Sequence, residues 1–211
     1  MVEKSLDLAV MYHFTKNAGW KGVNNGNPDF LYEDPVTGKH VEGENVRGLW
    51  PCRRLIARGQ DSALVPHEAT RPAIFGLPEE KSQSWIQYQD CDNVFDYLMS
   101  CCAEKSDEEG RRSLVLLRVD LESEDDPFVV DYVHVRRLAR DFSAETDSER
   151  KLRILAEGNK RYWESRVPLA EYKRNFILPE IIVFKPIPQQ RVHFVWEKDL
   201  YQFLDEVHGN H

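Results

Sequence analysis

The sequence is short of several things, and each shortage excludes a class. No apolar run approaches the ~20 residues that a helix needs to cross a bilayer, so no membrane span is expected. The first residues, Met1-Val2-Glu3-Lys4-Ser5-Leu6-Asp7, lack a basic stretch followed by a long apolar core, so a cleaved secretory signal is not expected either. Cysteine is sparse. Cys52, Cys91, Cys101 and Cys102 include no Cys-x-x-Cys pair, a pattern that suits reduced thiols in a cytoplasmic protein. The seven histidines never stand at His-x-x-x-His spacing, and no metal site is expected. Positive charge is in deficit, with 28 Lys and Arg against 36 Asp and Glu for a net charge of −8. That balance argues against bulk, non-specific nucleic-acid binding. It leaves open a local basic groove at Arg47, Arg53, Arg54 and Arg58 or at Arg136, Arg137 and Arg140, although solvated faces explain both clusters more simply. Internal repeats and low-complexity linkers are lacking too.

What is present is a soluble globular composition, 41% hydrophobic and 30% charged over 211 residues. This length suits one domain over residues 1–211, with an irregular surface insertion at 24–46. Leu8 to Tyr12 is an apolar run that predicts a strand ending in His13-Phe14-Thr15. Residues two apart on a strand share a face, so His13 and Thr15 project together and could hydrogen-bond a sugar hydroxyl or an amide. A structural histidine bonded to a neighbour is the plainer account. Phe30-Leu31-Tyr32 and Lys39-His40-Val41 flank a turn that starts Asp34-Pro35 and ends at Gly38, which predicts a hairpin.

Further along, Ala73 to Leu77 predicts a short strand, and Pro78 suits the first turn of a helix carrying Ser82, Ser84 and Trp85. Val94, Leu98, Cys101 and Cys102 predict an amphipathic helix. Ser113 to Leu121 predicts a central strand, and Phe128 to Val135 another with a polar face at Asp131 and His134. A helix is predicted over 147–165, with Leu152, Leu155, Tyr162 and Trp163 along one side. Ile181 to Phe184 predicts a strand buried on both faces. It is opened by Glu180, which is either a carboxylate held at a cleft or a charge that merely ends a strand in solvent. Trp196, Leu200, Phe203, Leu204 and Val207 predict a closing helix.

Three of these stretches, taken in order, resemble the ADP-ribosyltransferase superfamily. They are the strand ending Tyr12-His13-Phe14-Thr15, the strand Ala73-Ile74-Phe75-Gly76 with its following Ser82, Ser84 and Trp85, and Glu180-Ile181-Ile182-Val183-Phe184 followed by Arg191-Val192-His193-Phe194-Val195. Leu178-Pro179-Glu180 with Ile187-Pro188 also resembles the DNA-targeting toxins of that superfamily. The resemblance implies an α+β fold with a split pair of small, mostly antiparallel sheets, flanking helices and an NAD cleft between the sheets. By the same resemblance Glu180 is the catalytic glutamate, and His13 contacts the adenosine ribose with Thr15 beside it. Tyr12 and Phe75 then line the NAD site, Trp85 stacks on nicotinamide, and Ser82 or Ser84 supports it.

The middle motif departs from the family pattern. Ala73 replaces a glycine, and Trp85 replaces a tyrosine. The implied activity is mono-ADP-ribosyl transfer from NAD to a macromolecular acceptor, protein or nucleic acid, as a toxin or effector. The localisation implied is cytoplasmic, or else delivery into a target cell without a classical signal peptide, and an inhibitory partner protein could accompany it. NAD hydrolysis, RNA 2′-phosphate transfer and a non-catalytic binding module are the alternatives that the same scaffold allows.

Overall fold

Aliphatic and β-branched side chains in short runs make the strands, and seven of the nine described strands pair into one continuous ladder. The computed structural model describes residues 9–15, 31–33, 37, 39–42, 48–49, 73–78 and 113–208. Its strands are β1 (Ala9–Thr15), β2 (Leu31–Glu33), β3 (His40–Glu42), β4 (Ile74–Pro78), β5 (Ser113–Leu121), β6 (Phe128–Asp131), β7 (Val167–Pro168), β8 (Pro179–Val183) and β9 (Val192–Asp199). Its α-helices are α1 (Val133–Ala144), α2 (Ser148–Glu164) and α3 (Leu200–His208). The fold is mixed α and β. No described helix is long and apolar enough to cross a membrane.

β2 and β3 form the expected hairpin. The other seven strands lie in the order β7-β6-β8-β4-β1-β5-β9, with every pairing antiparallel. A split pair of small sheets was expected, and these seven strands instead run on as one sheet. The reason is a narrow seam. β1 follows β5 from Ala9↔Leu121 to Thr15↔Val115 but meets β4 only at Met11↔Pro78 and Tyr12↔Leu77. Those two pairs join the half β7-β6-β8-β4 to the half β1-β5-β9. Gly76 lets the halves approach. A Cβ there would stand 2.3 Å from Met11 Cγ and 2.7 Å from the Tyr12 carbonyl oxygen.

Both faces of the sheet carry core. On one face Met11, Ile74, Val115, Leu117, Val119, Ile181 and Val183 pack with Leu49 and Ile187, which bridge each other through backbone hydrogen bonds of 2.9 and 2.8 Å. On the other, Phe14, Leu77, Leu114 and Leu116 meet Leu200 and Phe203 of α3, while Val130 and Ile182 meet Tyr162 and Trp163 of α2. The helices therefore lie against this second face. α1 and α2 pack closely, with Gly158 against Leu138. α2 starts at Asp147, whose carboxylate accepts from the Arg150 N–H at 2.8 Å.

Three further expectations change. Pro78, expected in the first turn of a helix, is the last residue of β4. The strand expected over 128–135 stops at Asp131, and α1 begins two residues later. The Asp131 carboxylate accepts from the Val133 N–H at 3.2 Å. That local bond turns the chain where apolar alternation alone would have carried it on. Trp196 belongs to β9, and the closing helix starts at Leu200. On β9 the ladder shifts between Leu116↔Trp196 and Leu117↔Phe194, leaving Val195 as an extra residue.

Candidate functional site

β8 is buried along its whole length, and its second residue is a carboxylate. Glu180 is 0% exposed. Burying a carboxylate is costly unless hydrogen bonds replace the lost water. Tyr162, on the inner side of α2 and itself wholly buried, supplies one by donating its hydroxyl to Glu180 Oε2 at 2.5 Å.

The segment leading to Glu180 is held just as firmly. Asp131 Oδ1 accepts from the Leu178 N–H at 3.1 Å, Asp131 Oδ2 accepts from the Ile177 N–H at 3.3 Å, and Tyr132 N–H donates to the Leu178 carbonyl at 2.8 Å. Ser165 closes the arrangement. Its hydroxyl accepts from the Asp131 N–H at 2.9 Å and donates to the Tyr162 carbonyl at 2.7 Å.

Register shows which expected residues share this site. Glu180 pairs with Val130, and Ile182 with Phe75. Alternation along β4 sets Leu77 on the side of Phe75, and Leu77 pairs with Tyr12. Glu180, Phe75 and Tyr12 therefore share the helix-covered face. His13 and Thr15 pair with Leu117 and Val115 and share the opposite face. β1 and β8 both flank β4, so the histidine and the glutamate are two strands apart but do not point to one side of the ladder. Ser82, Ser84 and Trp85 lie outside the described residues.

His13 sits at the seam. Its Nδ1 is 2.6 Å from the Phe75 carbonyl oxygen, just past the last backbone pair between β1 and β4. A carbonyl only accepts, so Nδ1 carries the hydrogen, and Nε2 is the acceptor in the neutral ring. Burial pushes the imidazole below its ordinary value of 6.5, and the Phe75 carbonyl works against that shift.

The face that holds Glu180 also holds unused hydrogen-bonding groups. Among the described residues, Asn159 Nδ2 and Trp163 Nε1 are buried without a partner. They stand four residues apart on α2, on the side that carries Tyr162. Trp163 is stacked over Phe184 at 6.3 Å and meets Tyr162 edge-on at 5.3 Å. Further along the Tyr12 row, Arg118 pairs with Tyr12 and His193 with Arg118. Asp120 contacts both side chains, with His193 Nε2 at 2.9 Å and Arg118 Nη2 at 3.0 Å. Both the Arg118 and His193 side chains are nearly half exposed, as in ordinary surface polar contacts.

Sequence reasoning missed Tyr162 as the partner of the glutamate, and Asp131 and Ser165 as the groups that hold the segments around it. Tyr162 reads as one more member of an apolar helix stripe, and nothing in its spacing marks a bond to a residue 18 positions on. Asp131 was legible only as a polar interruption in a strand. Comparison with protein-family models, with curated proteins and with solved structures finds no match for this chain, and the functional reading therefore rests on its own residues and their geometry.

Proposed function

We propose that this chain is an NAD-dependent mono-ADP-ribosyltransferase of α+β architecture with a split sheet, in which Glu180 is the carboxylate that faces the sugar. The observation that carries the reading is Glu180 itself, a carboxylate wholly buried at the opening of β8 and fixed by the Tyr162 hydroxyl at 2.5 Å. The two-pair seam supports the architecture, since it nearly divides the sheet between the strand bearing His13 and the strand bearing Glu180.

NAD, when bound, supplies a ribose whose bond to nicotinamide breaks with positive charge building on the sugar, as in glycoside cleavage. A fixed carboxylate stabilises such charge without reorganising during the reaction. Tyr12 and Phe75, on the face that holds Glu180, offer aromatic surface to a flat base. His13, bonded through Nδ1 to Phe75, orients the seam and leaves Nε2 as an acceptor.

The zero exposure of Glu180 also favours a second reading, a binding scaffold in which the carboxylate is only a core hydrogen-bond acceptor. Nicotinamide release from NAD separates the two. Glu180→Gln keeps an oxygen for the Tyr162 hydroxyl, so the variant is expected to fold. Turnover is expected to fall about 10²–10³-fold, as when a transition-state stabiliser is removed. Equal turnover in Glu180→Gln would sink the transferase reading. Tighter folding in the presence of NAD, with no nicotinamide released by the unaltered chain, would favour the scaffold.

A further inference from the structure

Glu180 is reached by two routes of hydrogen bonds, and both begin at Asp131. The first runs along the backbone. Asp131 accepts from the N–H groups of Ile177 and Leu178, so its carboxylate fixes the two residues before the Pro179-Glu180 opening of β8. The second runs through side chains. The Asp131 N–H donates to Ser165 Oγ, the Ser165 hydroxyl donates to the Tyr162 carbonyl, and the Tyr162 hydroxyl donates to Glu180 Oε2. Asp131 is 8% exposed, and Tyr162 and Glu180 are 0% exposed.

The Tyr162–Glu180 and Leu178–Asp131 bonds are buried and strengthened by exclusion of water, and the part-buried Ser165 bonds couple them, so the loss of one is felt by the rest. A carboxylate on a strand has two side-chain torsions before its head, yet here the head is tied to a helix and the helix is tied back to the strand's own beginning. We infer that Asp131, Ser165 and Tyr162 are positioning residues for the Glu180 carboxylate. The Asp131 ring sets where the carboxylate head stands relative to the ribose, and substrate affinity is set elsewhere. This inference rests on the transferase reading above.

The test is steady-state turnover of NAD by the full chain and by Tyr162→Phe, Ser165→Ala, their double variant and Glu180→Gln, with melting measured alongside. Tyr162→Phe and Ser165→Ala are expected to lower kcat roughly ten- to a hundredfold, the scale of a misplaced catalytic group. KM for NAD should stay within about twofold, because ground-state binding is untouched. The double variant should be little worse than the poorer single one, since both cut one route. A merely structural role predicts instead that activity follows the folded fraction, with kcat per folded molecule unchanged. That result in both single variants, with Glu180→Gln inactive, overturns this inference and leaves the transferase reading standing. Full turnover in Glu180→Gln, or none in the unaltered chain, overturns both. If Tyr162→Phe does not fold, Ser165→Ala decides, because it leaves the aromatic packing in place.

Discussion

His13 makes folding sensitive to protons. Its ring is held neutral by burial, below the ordinary 6.5. Once unfolded it regains that value, so in acid the unfolded chain binds the extra proton. Stability from this group is therefore fully present above pH 6.5 and falls as the pH drops from there towards the lowered folded value. Thermal unfolding between about pH 7 and pH 5 should show Tm falling with acid, and His13→Gln should flatten that fall. Equal slopes in the two proteins would mean that other groups govern the acid limb. Glu180 and His13 were both legible in the sequence as chemistry-bearing residues at strand ends. The side of the sheet that each faces was not, because it depends on register with β4 and β5, which no local pattern encodes.

Strands and helices with strong local patterns were read closely. β5 falls on the expected 113–121, α2 on 148–164 within the expected 147–165, and β8 begins one residue before Glu180. The junction at Asp131 was misread because a single side-chain bond to the Val133 N–H outweighs four residues of favourable alternation. Contacts between elements leave no mark of that kind, and glycine is where they become testable. At Gly158, alanine would gain up to about 1 kcal/mol in helix propensity. Its Cβ, however, would lie 2.8 Å from Leu138 Cβ on α1. Overpacking costs about 1–3 kcal/mol, so urea unfolding of Gly158→Ala should show a net loss. Gly76→Ala should lose at least as much, since one of the atoms it meets is the Tyr12 backbone oxygen, which cannot swing aside. A stabilised Gly158→Ala would mean that α1 and α2 yield to each other.

Across the whole molecule, one buried ion pair ties distant turns together. Arg191, ahead of β9, makes two bonds of 2.6 and 2.8 Å to Asp125, in the turn between β5 and β6. The Asp125 carboxylate, through its hydrogen bonds, raises the guanidinium above its usual range. Asp125 is 3% exposed and also accepts from the Glu122 N–H at 2.8 Å. Removing Asp125 leaves Arg191 the more exposed Glu122 carboxylate at 3.2 Å, and Asp125→Ala should cost about 1–3 kcal/mol in chemical unfolding. Little salt dependence is expected, because buried pairs are poorly screened. The outer margin of the sheet carries a different consequence. β9 is the last strand in the described order and runs for eight residues, long enough to template a neighbouring molecule. The extra Val195 throws the alternation out of step partway along it. A second strand laid along this margin would match its alternation on one side of Val195 and fall out of phase on the other, which works against continued edge-to-edge pairing.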